Sequence, residues 1–137
     1  MKNIFYCSGV QKDIFSDNTR SKFKNYIDID NLRYLPKGPI EVAVKRIMFD
    51  SADINSSQGT LALKSDLCRE SAYNGKYEKI LCTFQVRGMH HVEFNSPTYF
   101  STRIELLSNV KFTIINLKTG EQPNWESGAP TLIQLLV

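Results

Sequence analysis

Apolar and polar residues alternate along most of this chain, with the period of two that belongs to β-strands. Val110, Phe112 and Ile114 alternate with Lys111 and Thr113, which predicts a half-buried strand beginning at Asn109. The final run, Thr131–Val137, has Leu132 and Leu136 on one face and Ile133, Leu135 and Val137 on the other, which predicts a strand covered on both sides. A polar, turn-rich linker that contains Trp125 joins these two runs. Near the start, Asn3–Ser8 is a short β-type run closed by Ser8-Gly9, and Ser16-Asp17-Asn18 is a turn cluster. In Arg20–Ile29, strand alternation fits better than a helix. Phe23, Ile27 and Ile29 share a face with Asn25, whereas Arg20, Lys22, Lys24, Tyr26 and Asp28 share the other.

Leu35-Pro36-Lys37-Gly38-Pro39 breaks the pattern, since two prolines cannot continue a ladder. Ile40–Phe49 is then a long strand. Its apolar positions are first Ile40, Val42 and Val44, then Ile47 and Phe49 with the opposite parity, which predicts a β-bulge or a bend between sheets around Lys45-Arg46. Asp50–Gly59 and Arg69–Gly75 read as loops, the second ending in the turn pair Asn74-Gly75. Thr60–Cys68 sets Leu61, Leu63 and Leu67 against Lys64 and Asp66, and Lys76–Arg87 places Ile80, Cys82, Phe84 and Val86 on one face. After Gly88-Met89, His90–Asn95 and Thr98–Ile104 are two more β-type runs, and Ile104–Leu107 has room for one helical turn.

Short strands at ~8–12-residue spacing, with turn signals between them, predict an all-β sandwich or barrel. One long bending strand and a final strand in the core favour a single jelly-roll-like β-sandwich of about eight to nine antiparallel strands over residues 1–137. An immunoglobulin-like sandwich fits less well, because Trp125 follows the cysteines instead of lying between them. Three cysteines, Cys7, Cys68 and Cys82, without a Cys-x-x-Cys spacing read as reduced thiols in a reducing compartment. Met1 is followed by no basic-then-apolar leader, so a virion or intracellular location is expected rather than secretion, and no apolar run is long enough to span a bilayer. The net charge of +3 arises within residues 1–50, which is permissive of nucleic-acid contact without arguing for it.

His90-His91 is the obvious metal suspicion, but neighbours on a strand point to opposite faces. Glu93 could join only His91, which leaves two ligands where three or four are usual. No nucleophile signature or glycine-rich phosphate loop is present, so no enzymatic activity, cofactor or metal is expected. The stripe Arg20, Lys22, Lys24, beside Tyr26, admits three readings: a solvated or charge-protected strand, a contact for an acidic protein, or a contact for nucleic acid. Trp125 either anchors a partner or plugs the end of the sandwich, and Thr98-Tyr99-Phe100 is either core or contact surface. Arg20, Lys22, Lys24, Tyr99 and Trp125 are therefore the candidate partner contacts.

Three stretches carry a likeness to a known family. They are Asn3-Ile-Phe-Tyr-Cys-Ser, Ile14-Phe-Ser-Asp-Asn-Thr-Arg-Ser-Lys-Phe23 and Pro39-Ile-Glu-Val-Ala-Val-Lys-Arg-Ile47. They resemble the opening of penton-type (minor) capsid proteins of Polinton/Maverick elements, adintoviruses and related small DNA viruses. The ending Gly128-Ala-Pro-Thr-Leu-Ile-Gln-Leu-Leu-Val137 resembles the terminal strand of such chains. The resemblance implies a single jelly roll that self-assembles into symmetric homo-oligomers, with five-membered rings as the expected form and a major capsid protein as a further partner. Filaments follow if the rotation does not close. Two rivals stand beside this: a β-sandwich that binds a carbohydrate or protein ligand through loop aromatics, and a cupin-like enzyme at His90 and His91.

Overall fold

The computed structural model describes residues 2–49, 59–68, 71–73, 76–85, 91–123 and 129–137. Nine strands form two antiparallel sheets. The first sheet holds β1 (Asn3–Cys7), β11 (Leu132–Leu136) and β3 (Ile40–Met48) in that order. The far side of β3 is shared by β8 (His91–Glu93) and β9 (Tyr99–Thr102). The second sheet runs β2 (Lys22–Tyr26), β10 (Asn109–Asn116), β4 (Thr60–Ser65) and β7 (Ile80–Gln85). A separate hairpin pairs β5 (Ser71–Tyr73) with β6 (Lys76–Glu78).

The pairing is nested: β1 with β11, β2 with β10, β3 with β9, and β4 with β7. This is the order of a long hairpin rolled into two facing sheets, which is a jelly roll. The alternating positions do what their period requires. Ile4, Tyr6, Val42, Val44, Ile47, Ile133 and Leu135 face inward from the first sheet, and Phe23, Leu61, Leu63, Phe84, Val110, Phe112 and Ile114 meet them from the second. Phe112 lies at the centre, with ring centroids 5.2 Å from Tyr6 and 5.6 Å from Phe23. Tyr6 also donates its hydroxyl to the Leu107 carbonyl at 2.6 Å. That bond satisfies the buried phenol and ties β1 to the short helix α1 (Ile104–Ser108).

The parity change in β3 is a bulge. Gln134 lies opposite Arg46 and Leu135 opposite Val44, so Lys45 is the extra residue, and the strand stays in one sheet. It also marks a change of neighbour, from β9 along Ile40–Ala43 to β8 along Arg46–Met48.

Several expected boundaries move. The β2 strand stops at Tyr26, because Asp28 caps a 3₁₀ turn over Ile29–Leu32 by accepting from the Asp30 N–H. The expected strand Lys76–Arg87 is divided at Lys79 between the hairpin and β7, and part of the expected loop Arg69–Gly75 is the strand β5. Its turn pair Asn74-Gly75 lies outside the described residues, as do Val86 and the Gly88-Met89 break. The terminal strand was expected to be covered on both sides. Ile133 and Leu135 are buried, but Leu132 and Leu136 are only half-buried on the outside of the sheet.

Where β1 ends, the chain crosses close to the start of β11. A Cβ on Gly9 would lie 2.6 Å from Pro130 Cγ, so only glycine fits there without movement. The Ser8 N–H donates to the Thr131 carbonyl at 2.9 Å, and the Thr131 N–H donates to Ser8 Oγ at 2.8 Å. Among the described residues no helix is long and apolar enough to cross a membrane.

Candidate interaction surfaces

The two sheets differ on their outer faces. On β2, Lys22, Lys24 and Tyr26 point out while Phe23 and Asn25 point in, as the alternation predicts. Arg20 does not continue this stripe. It precedes the strand and lines a cleft of about 630 Å3 with Ser8, Lys12, Thr19, Ser21 and Gln122. Its carbonyl accepts from Thr131 Oγ1 at 2.6 Å.

The free edge of β2 is closed by the chain's own side chains. Asn18 pairs with Lys24 like a neighbouring strand: its Nδ2 donates to the Lys24 carbonyl and its Oδ1 accepts from the Lys24 N–H, both at 2.8 Å. Gln11 does the same for Tyr26, at 2.6 and 2.7 Å. Thr19 donates its N–H to the Lys22 carbonyl at 2.8 Å and accepts from the Lys22 N–H through Oγ1 at 3.1 Å. To reach Tyr26, Gln11 adopts a left-handed backbone with φ of 59°, a conformation uncommon outside glycine.

This edge pairing fixes the type of the pairs on the other side. The backbone groups of Lys24 point outward to Asn18, so Lys24 and its partner Lys111 on β10 are a non-hydrogen-bonded pair. In such pairs facing Cβ atoms lie ~4.5–5.5 Å apart, and the side chains run side by side. The next row places Lys22 opposite Thr113, and Thr113 opposite Lys64. Lys64 is neutralised by Glu78 at 2.7 Å. Among the described residues Lys22, Lys24 and Lys111 form no ion pair. The three lysines line a hollow of about 170 Å3 under the Ile14–Asn18 segment, which also presents Asp17 and Ser16 to it.

The buried Asn25 has its own task. Its Oδ1 accepts from the Cys7 N–H at 2.7 Å and its Nδ2 donates to the Cys7 carbonyl at 3.0 Å, bridging β2 in one sheet to β1 in the other. A polar residue on the apolar face of β2 is therefore the clasp between two sheet edges.

The outer face of the first sheet shows more apolar surface, in two rows that flank the row Phe5, Gln134, Arg46 and Glu93. Phe5, Met48 and Tyr99 are 54, 40 and 42% exposed, and Leu132 and Leu136 lie half-buried between them. The register sets Cys7, Leu132, Met48 and His91 in one row, and Asn3, Leu136, Ala43 and Tyr99 in another. Tyr99 is thus exposed on the outer face rather than in the core, while its neighbour Phe100 packs against the core. Trp125 lies outside the described residues, as does His90.

His91 and Glu93 share the outer face of β8, but Glu93 is engaged elsewhere. Arg46 Nη2 lies 3.3 Å and Lys45 Nζ 3.7 Å from its carboxylate. The hydrogen bond from Arg46 and its positive charge, with Lys45 adding to them, hold that carboxyl below its usual range. Among the described residues no three of His, Cys, Asp and Glu come together as a metal site. All three cysteines are free and half-buried. Burial pushes the Cys82 thiol up to about 12, with Cys68 nearby adding to the shift. Burial also raises Cys68, against its own backbone hydrogen bond and Lys79.

Lys111 and Lys64 are the functional candidates that the sequence alone did not connect to the stripe, because they join it only through the register of β10 and β4. Comparison with protein-family models, curated proteins and solved structures gives no match to this chain.

Proposed function

We propose that this chain is a structural jelly roll that assembles with copies of itself, in the manner of the penton-type capsid proteins its sequence resembles. One observation carries the reading. Strand β11 carries Leu132 and Leu136 beside Gln134 on its outer face, and among the described residues the second sheet covers only its inner face. Leu132 and Leu136, with Phe5, Met48 and Tyr99 around them and Gln134 and Arg46 in the row between, leave apolar surface exposed on a sheet whose other face is already a complete core. A second copy supplies the missing cover. Its contact is head-to-tail in a ring, and an open filament is the same contact with a rotation that does not close.

Light scattering on a sizing column, with negative-stain images of the same fractions, tests the reading. Rings, shells or filaments at whole multiples of the chain mass are expected. Met48→Lys with Leu136→Lys is expected to return a folded monomer, since both side chains lie on the outer face. A wild-type monomer across a wide concentration range overturns self-assembly. That result favours a binding module instead, for which the polar cleft of about 630 Å3 beside Arg20 and Lys12 is the opening.

A further inference from the structure

We infer that the outer face of the second sheet binds single-stranded nucleic acid, held through its phosphates by Lys22, Lys24 and Lys111 with Tyr26 as a stacking platform. The inference begins from a cost. Like charges directly opposite on neighbouring strands are destabilising, and the Lys24–Lys111 pair is of the close kind. Among the described residues no carboxylate is ion-paired to either of them or to Lys22. Asp66 lies nearby, its Oδ1 accepting from the Lys111 backbone N–H at 3.3 Å, and offsets one of the three positive charges. Asp17 is the one acidic residue that lines the hollow with the three lysines. Three lysines against Asp17 and Asp66 leave the site a positive excess of one.

The usual account of lysines on an edge strand is protection against stray pairing. That account does not fit here, because Thr19, Asn18 and Gln11 already occupy the backbone groups of the β2 edge. The lysines also project from the face of the sheet rather than from its edge. Something other than edge protection keeps the cations together.

The layout suits a polymer of phosphates. Lys22, Lys24 and Tyr26 follow one another at alternate positions, ~7 Å apart along the strand, so the row runs parallel to a bound backbone. Lys111 widens the row by one strand, and the ring of Tyr26, 45% exposed, lies at its end on the same face. Cationic tracks with aromatic rings are how sequence-tolerant single-strand binders work, since phosphates supply the affinity and a ring accepts any base. The arrangement owes nothing to self-assembly, because the apolar patch belongs to the other sheet.

Fluorescence anisotropy of a labelled oligodeoxythymidylate, titrated with the full chain at several salt concentrations, tests the inference. Binding is expected to weaken with salt, with a log–log slope of about 2 for three neutralised phosphates on a single strand. Lys24→Gln with Lys111→Gln is expected to weaken binding about tenfold or more and to lower the slope to less than half. Tyr26→Ala is expected to weaken it about fivefold or more. Lys37→Gln with Lys118→Gln removes the same charge from exposed positions elsewhere and is expected to leave binding nearly unchanged. Melting curves show that each variant is folded. Absence of binding at low salt, an equal loss in the Lys37/Lys118 control, or indifference to Tyr26→Ala overturns the inference. Displacement of the oligonucleotide by poly-glutamate at equal charge also overturns it, in favour of an acidic protein.

Discussion

The outsides of the two sheets are unlike, although their insides are nearly interchangeable. Inward, both present the branched aliphatics and aromatic rings that a sandwich core needs. Outward, one sheet shows Phe5, Met48, Leu132 and Tyr99, and the other shows Lys22, Lys24 and Lys111. Folding requires a set inner face and asks little of the outer one beyond solubility. The outer faces lean in opposite directions, the first sheet toward apolar side chains among its ion pairs and the second toward unpaired lysines among the described residues. The two proposals divide accordingly, a second copy for the first sheet and a polyanion for the second.

The sharpest way to break this comparison is to show that inner and outer positions respond alike. Phe112→Ala removes a fully buried ring that contacts Tyr6 and Phe23, and is expected to cost about 3–5 kcal/mol in urea unfolding. Asn25→Ala strips the Cys7 N–H and carbonyl of their partner, for an expected loss of about 1–3 kcal/mol. Outside, Met48→Lys is expected to move stability by less than about 0.5 kcal/mol while abolishing association. A loss of several kcal/mol there means that the patch is an ordinary part of the core. Lys24→Glu gives a small effect and the most specific one. It turns a like-charged cross-strand pair into an opposite one, and is expected to raise stability by about 0.2–1 kcal/mol. No gain, measured at low salt, means that the Lys24–Lys111 repulsion is already relieved.

The thiol of Cys82 offers a check that does not depend on association. With its value pushed up to about 12, it stays protonated at pH 8 and is expected to react with iodoacetamide far more slowly in the folded protein than in urea. The folded chain holds this proton to higher pH than the unfolded one. Its contribution to stability is therefore complete below pH of about 9 and declines as pH rises toward about 12.

Alternation of period two made the strands legible, since it depends only on nearest neighbours. The bulge at Lys45 was legible for the same reason, because an extra residue reverses parity within one strand. Strands of three residues, β5 and β6, are too short to show a period, so their hairpin was read as loop and as part of a longer strand. Registers between distant strands were not legible. Nothing local to Lys24 announces Lys111, and nothing local to Asn25 announces Cys7. The amide edge of Gln11 and Asn18 was hidden likewise, since glutamine and asparagine in a loop look the same whether solvated or paired. The terminal strand was expected to be covered on both sides, but Leu132 and Leu136 on its outer face are only half-buried.

The nested pairing has a consequence for how the molecule is made. Strand β11 sits between β1 and β3, so the first sheet has a gap of one strand until residues 132–136 have been synthesised. Until then Ile4, Tyr6, Val42 and Val44 wait on either side of that gap, and the second sheet has no finished layer to pack on. The edges of β1 and β3 that flank the gap are open to any passing strand during that interval. A folding intermediate held there exposes its inner apolar face and unpaired strand edges until β11 closes the gap.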